Sequence, residues 1–349
     1  MTHEALTEHN RLSGTARQRI AVATAPVLLA LFMATTILPV SFEIVGLRLT
    51  PIRILLLLSF VPMLGWLFSG RAGKIILPDI LIMFLCVWIF VTLLYHDGVS
   101  RLAFSGISAV ELLGGYLLGR CLIRNVVDFK RLIRLHLICL MVMFPFATIE
   151  FLTGRQIWAE ILDVFGDVVY RGESSRPRMG FDRVLGGFEH PILFGLFCSM
   201  AAANAVYVWR HKLFAAFSRL GFIVVITFMS LSSGALLSVM IQALLVVWDF
   251  IMKARWKLLM VLTAIAYVVV EMLSNRGPIL IFIETMTFNS GTAWTRINQW
   301  EFGSAEVLRN PILGKGITSN WIRPAWMHSS SIDNYWLVVA FRHGLPAII

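Results

Sequence analysis

Ile75-Ile-Leu-Pro-Asp79-Ile-Leu-Ile-Met-Phe-Leu-Cys86-Val-Trp-Ile-Phe-Val-Thr-Leu-Leu-Tyr95 is an apolar run with one charged side chain. A helix of about 20 such residues covers the roughly 30 Å of hydrocarbon in a bilayer. Runs of the same kind occupy residues 20–40, 52–68, 103–123, 132–152, 190–209, 217–231, 234–252 and 256–273, and a tenth begins near Tyr335. Lipid offers backbone polar groups no water, so repeated spans of this composition form helices. The expected fold is all-α: a polytopic transmembrane helix bundle of about ten spans, the last one truncated. A polar tail, residues 1–19, precedes a single membrane domain, 20–349, with two large loops at 153–189 and 274–333. The last run is too short to span, so the chain reads as cut short at its C-terminus.

Composition supports that class. Of 349 residues, 58% are hydrophobic and 14% charged, with a mean hydropathy of +0.79, against about 25% charged in soluble domains. The net charge of +10 comes without a helix-turn-helix pattern or a basic-aromatic platform, so no nucleic acid is expected as a partner. Cys86, Cys121, Cys139 and Cys198 all lie in or beside apolar spans, which gives neither a disulfide framework nor metal-ligand spacing. The polar tail lacks the form of a cleavable signal.

Loop charges give the orientation. With the tail inside, the inner segments hold sixteen Lys and Arg, from Arg11, Arg17 and Arg19 through Arg120, Arg124, Lys130, Arg131 and Arg134 to Lys253, Arg255 and Lys257. The short outer loops hold three: Arg48, Arg53 and Arg101. The positive-inside rule then places the N-terminus in the cytoplasm and both large loops outside, which in a bacterium means the periplasm.

Those loops carry the candidate chemistry. The first holds Arg171, Arg176, Arg178 and Arg183, and continues Val-Leu-Gly186-Gly187-Phe-Glu189-His190-Pro191 into a helix. A guanidinium fork matches phosphate oxygens bidentately. Glycines let the backbone approach a ligand, and a helix N-terminus at Pro191 adds partial positive charge. Pairing of the arginines with Asp182, Glu189 and Glu173, contact with lipid headgroups, and a capping role for His190 are the alternatives. Ile157 to Phe165 reads as a short interfacial helix with Trp158 and Phe165 at headgroup level.

In the second loop, which also carries Arg276, Arg309, Lys315 and Arg323, Ala293 to Leu308 has helical spacing. It places Arg296 and Trp300 on one face. An arginine beside an indole can hold phosphate while the ring stacks on a sugar; an amphipathic helix lying on the membrane is the other reading. His328 and Asp333 precede the last helix and are candidate bases for a sugar hydroxyl, or simply solvated groups. Glu111 is the most deeply placed acid, with a structural role favoured, and Gly114, Gly115 and Gly119 beside it point to close helix packing. Ser230, Ser232, Ser233 and Gly234 read as a structural turn.

Taken in order, several stretches resemble the O-antigen ligase and polymerase superfamily of bacterial envelope glycosyltransferases. They are Gly114-Gly-Tyr-Leu-Leu-Gly-Arg120, Arg183-Val-Leu-Gly186 with Phe188 and Pro191, and Leu231-Ser-Ser-Gly-Ala-Leu236. Arg296 with Trp300, Asn310-Pro-Ile-Leu-Gly-Lys-Gly316, and Asp333-Asn-Tyr-Trp-Leu337 before Gly344-Leu345 complete the set. The resemblance implies an inner-membrane enzyme acting at the periplasmic face on undecaprenyl-pyrophosphate-linked glycan. Arg183 and Arg296, with Arg178 and His190, would bind the pyrophosphate; Trp300 would stack on sugar; His328 or Asp333 would be the base. No metal or other cofactor is expected, because the lipid diphosphate is already an activated leaving group. Membrane lipids and a chain-length regulator protein are the further partners it admits. Ligases of the superfamily resemble one another in a histidine before the asparagine of the last motif, where this chain has Asp333. That departure favours a polysaccharide polymerase over a ligase that moves polymer to lipid A-core. A lipid-linked glycan transporter or flippase is the reading from another class; scarce charge within the spans speaks against it.

Overall fold

Helix boundaries follow ordinary capping chemistry. Thr50 accepts a hydrogen bond from the Arg53 N–H and Pro51 fills the first position of the helix Pro51–Phe68. Asp79 is fully buried, and its carboxylate accepts from the Ile76 N–H at 2.9 Å, closing the start of Leu77–Asp97. That buried acid is the single charge in the apolar run and serves the helix end. Asn125 caps Val126–Thr153, which stops at Gly154 in the left-handed conformation.

The computed structural model describes residues 25–44, 47–168, 177–253, 255–275, 277–285, 290–327 and 331–348. In chain order these form α1 (Ala25–Thr36), β1 (Val40–Ile44), β2 (Leu47–Leu49), α2 (Pro51–Phe68), α3 (Leu77–Asp97), α4 (Leu102–Leu122) and α5 (Val126–Thr153). There follow α6 (Ile157–Leu162), β3 (Asp167–Val168), α7 (Pro191–Ser199), α8 (Ala202–Val208), α9 (Leu213–Phe228) and α10 (Ser233–Met252). The last helices are α11 (Trp256–Leu273), α12 (Pro278–Thr285), α13 (Ser290–Arg309) and α14 (Tyr335–His343). Among the described residues, seven stretches are long and apolar enough to cross a membrane: α2, α3, residues 99–122, α5, α7 with α8, α10 and α11. The protein is thus largely helical and of membrane-embedded type. α1 and α9 are shorter apolar helices, and the span expected at 190–209 is interrupted by a turn at Met200–Ala201.

Three expectations change. The helix from Tyr335 ends after nine residues at His343, because Gly344 turns the chain with φ +80°. A small sheet in the order β2-β1-β3 interrupts the all-α pattern, with Val40 opposite Val168 and Phe42 opposite Leu49. Of the three packing glycines on α4, Gly114 lies against Leu56 and Phe60, whereas Gly115 and Gly119 meet open space. Glu111 is exposed on the same helix.

The chain divides into two compact units, Met1–Lys74 with Gly114–Leu231, and Ile75–Leu113 with Ser232–Ile349. In the first, Trp158 donates to the Ile37 carbonyl at 2.9 Å and its ring packs on Phe146, so α6 is fastened to the end of α1. The Arg120 guanidinium caps carbonyls of Ala72 and Lys74, and Arg124 that of Arg71. In the second, α13, α14 and residues 321–327 share a core of Val307, Trp321, Met327, Leu337, Ala340 and Phe341. Gly314 and Gly316, at φ +66° and +74°, let residues 313–316 run beside the end of α14, with Lys315 N–H on Phe341 O and Gly316 N–H on Arg342 O. His96 meets the Leu313 carbonyl, and Asp97 accepts from Thr318.

Candidate functional site

In the first unit the site is built from the last turn of α5. Glu150 is 3% exposed, and its carboxylate accepts from the N–H groups of Leu185 at 2.8 Å and Gly186 at 3.1 Å. A buried acid facing two backbone donors fixes the path of the following loop. A Cβ on Gly186 would stand 2.7 Å from Met143 Cε, and one on Gly187 2.3 Å from the Ile37 carbonyl oxygen. These glycines therefore let the loop pack closely on its own protein.

The same loop lies on the turn between α9 and α10. Val184 N–H bonds Met229 O, and Leu231 adopts φ +44° there. Arg183 Nε donates to Ser230 O at 3.3 Å, and Arg178 Nη1 to Leu231 O at 3.0 Å. Arg183 is 6% exposed, and its terminal nitrogens bond no described residue. Neither arginine forms an ion pair among the described residues, so pairing with Asp182 or Glu189 is absent there. Arg171, Glu173 and Arg176 lie outside the described residues. Burial, and then the neighbouring Arg178, pull the Arg183 guanidinium down to about 10, which leaves it cationic at neutral pH. His190 is exposed and caps α7, its Nδ1 accepting from the Ile192 N–H at 3.2 Å. That answers the histidine's presence by helix chemistry.

In the second unit α13 carries the candidates. It runs from Ser290 to Arg309, enclosing the expected helix. Arg296 is half-buried with no ion pair among the described residues, and Trp300, one turn on, is 56% exposed. Between them sits Gln299, 1% exposed, which the sequence reading passed over. Its Nε2 donates to Ser331 O at 2.9 Å while its Oε1 accepts from the Asp333 N–H at 3.1 Å. Ser331 Oγ donates to Asp333 Oδ1 at 3.2 Å, and Asn334 caps α14. Asp333 is exposed; His328 lies outside the described residues, as does Arg276.

Two of the loop's cations are already committed. Glu306, buried on α13, pairs with Lys315 Nζ and with Arg309 Nη1 at 3.0 Å. Burial pushes its carboxyl up, but Lys315, the Ile322 N–H and Arg309 outweigh that and hold it below the ordinary carboxylate range. Arg323 Nε donates to Met327 O, and a depression of about 530 Å³ is lined by Asn320, Trp321, Ile322, Arg323, Pro324, Ala325 and Met327. Arg296 and Arg323 are the guanidiniums of this loop, among the described residues, with no carboxylate partner.

Within one unit, then, Arg178 and Arg183 share a turn; within the other, Arg296, Trp300 and Asp333 are gathered around α13. Comparison with models of protein families, with curated proteins and with solved structures returned no match.

Proposed function

We propose that this chain is a polysaccharide polymerase of a bacterial inner membrane, working on undecaprenyl-pyrophosphate-linked glycan at the periplasmic face. The observation that carries the reading is Arg183: a charged guanidinium at 6% exposure, beside a second arginine, with its terminal nitrogens bonded to no described residue. A buried guanidinium whose terminal nitrogens meet no acceptor among the described residues is suited to the oxygens of a diphosphate ligand. Within the other unit, Arg296 lies on a solvent-reachable helix with an exposed indole one turn away, a pairing suited to an anion and a sugar.

In the reaction an acceptor sugar hydroxyl attacks the anomeric carbon of the donor. The bond from that carbon to the diphosphate oxygen breaks and its electron pair leaves with undecaprenyl diphosphate. The hydroxyl proton passes to the Asp333 carboxylate, whose Oδ2 has no hydrogen bond among the described residues. The arginines offset charge on the departing diphosphate. Support for the side of action comes from the loops. Residues 71–74 meet 120–124, while residues 37–41 meet 158, 167 and 187. That is the grouping expected when successive spans alternate in direction.

A strain lacking the protein tests the reading through chain length and attached lipid of its glycan. Single repeat units on carrier, restored to a ladder by the wild type but not by Arg183→Ala at equal membrane levels, are expected. Full-length polymer stranded on the carrier would mean a ligase, and an unchanged glycan profile would overturn both.

A further inference from the structure

We propose that Gln299 is the positioning residue that sets the aim of the Asp333 carboxylate; the inference rests on the polymerase reading above, in which Asp333 is the base. The amide of Gln299 grips residues 331–333 from both sides, donating to the Ser331 carbonyl and accepting from the Asp333 N–H. An amide side chain paired with a donor and an acceptor of one backbone segment permits a single register. Asp333 stands one residue before the Asn334 cap, so the same grip fixes where the carboxylate lies relative to α14. Ser331, held through its carbonyl, presents its hydroxyl to Oδ1 and leaves Oδ2 for the incoming proton.

Burial makes the amide structurally costly without those two partners, which are both backbone groups of the segment bearing the base. Helix integrity does not need it: α13 is formed by its own ladder, and neighbouring positions supply the apolar contacts to α14. Gln299 also occupies the turn between Arg296 and Trp300, so one helix carries the anion contact, the sugar platform and the clamp on the base. A shift of the helix would move the three together.

The experiment measures polymer formation on purified full-length protein in lipid vesicles, with a synthetic polyprenyl-diphosphate repeat as probe, across pH 4–9. Four variants are compared: Asp333→Asn, Gln299→Met, Gln299→Glu and Ser331→Ala. Asp333→Asn is expected to remove turnover. Gln299→Met keeps the shape without the bonds; it is expected to lower kcat about 10- to 100-fold with KM little changed, the scale of a misplaced reacting group. Gln299→Glu keeps the acceptor for the Asp333 N–H but sets a carboxylate near the base, so the acid limb of the kcat profile moves to higher pH. Ser331→Ala moves that limb the same way by removing a bond to the charged form. If Gln299→Met fails to fold, the limb positions in the other two decide. A dead Asp333→Asn beside Gln299 and Ser331 variants with wild-type kcat and limb overturns the clamp alone. An active Asp333→Asn overturns the base assignment, and the clamp with it.

Discussion

The two large loops hold their arginines in opposite ways. Around Arg183 the loop is a lining pressed against helices. Glu150 holds its backbone, Ile37 and Met143 leave room only for glycine at 187 and 186, and the guanidinium lies at 6% exposure against the Ser230 carbonyl. Around Arg296 the loop is a small fold of its own, with a core of Val307, Trp321, Met327, Leu337, Ala340 and Phe341 beneath a helix whose upper face stays open. One cation is held against the turn between two apolar helices, the other on an amphipathic helix with a core of its own. The difference teaches that similar basic composition can end in a buried guanidinium in one place and a half-exposed one in another.

The contrast breaks first at the arginines. Arg183→Ala and Arg296→Ala should each lower polymer output about 10²- to 10³-fold, the loss typical of one preorganised charge donor. Both proteins should remain in the membrane at normal amounts, measured by immunoblot beside the glycan ladder. Wild-type output from Arg183→Ala would remove the buried site from the comparison. Arg183→Lys, which keeps the charge but not the fork, should recover only part of the loss.

Glu150→Ala comes next. It leaves the Leu185 and Gly186 N–H groups without their acceptor, at about 1–3 kcal/mol for each buried group. A lowered Tm in detergent with the protein still inserted is the expected reading; an unchanged Tm would mean the loop is held elsewhere. Gly187→Ala places a methyl against the Ile37 carbonyl and should cost about 1–3 kcal/mol by overpacking in the same assay.

For the platform, Glu306→Gln should cost about 1–2 kcal/mol, the lower part of the range for charge-assisted bonds because Lys315 and Arg309 keep some water. Folding lowers the Glu306 pKa, so this stability is present above the ordinary carboxylate value near 4.5 and fades as pH falls through the folded value. Wild type should therefore lose Tm more steeply than the variant as pH falls below the ordinary carboxylate value near 4.5. The smallest effect on folding belongs to Trp300→Ala, within about 0.5 kcal/mol for an exposed side chain. Its loss should appear as a raised KM for glycan donor, and an unchanged KM would take the indole out of the site.

Much of the helical skeleton was legible because length and hydropathy decide it locally. The short helix at 157, the helix through Arg296 and Trp300, and the turn at 230–233 were legible for the same reason: spacing and turn residues act within a few positions. What stayed hidden depends on distant partners. The Val40 strand needs Asp167 and Val168, and nothing around residue 40 announces them. Gln299 read only as one more polar residue on an amphipathic helix, and nothing local marks Glu150; each gains its meaning from backbone donors, 34 and 35 residues away. The basic loop overstated its free charge, since Glu306 takes up Lys315 and Arg309.

One contact also bears on how the chain is assembled during synthesis. Trp88 and Thr92 on α3 meet the carbonyl and Nδ1 of His343 at 2.8 and 2.7 Å, across sequence separations of 255 and 251. A ribosome feeding this chain into a bilayer delivers α3 early and its partner roughly a minute or less later, at about 5–20 residues per second. Thr92 meanwhile satisfies its hydroxyl on the Ile89 carbonyl of its own helix, while the indole N–H has no such local substitute. Translation speed and the lifetime of that waiting helix thus enter the yield of folded protein, and a slowed ribosome downstream of α3 would lengthen the interval in which it can associate wrongly.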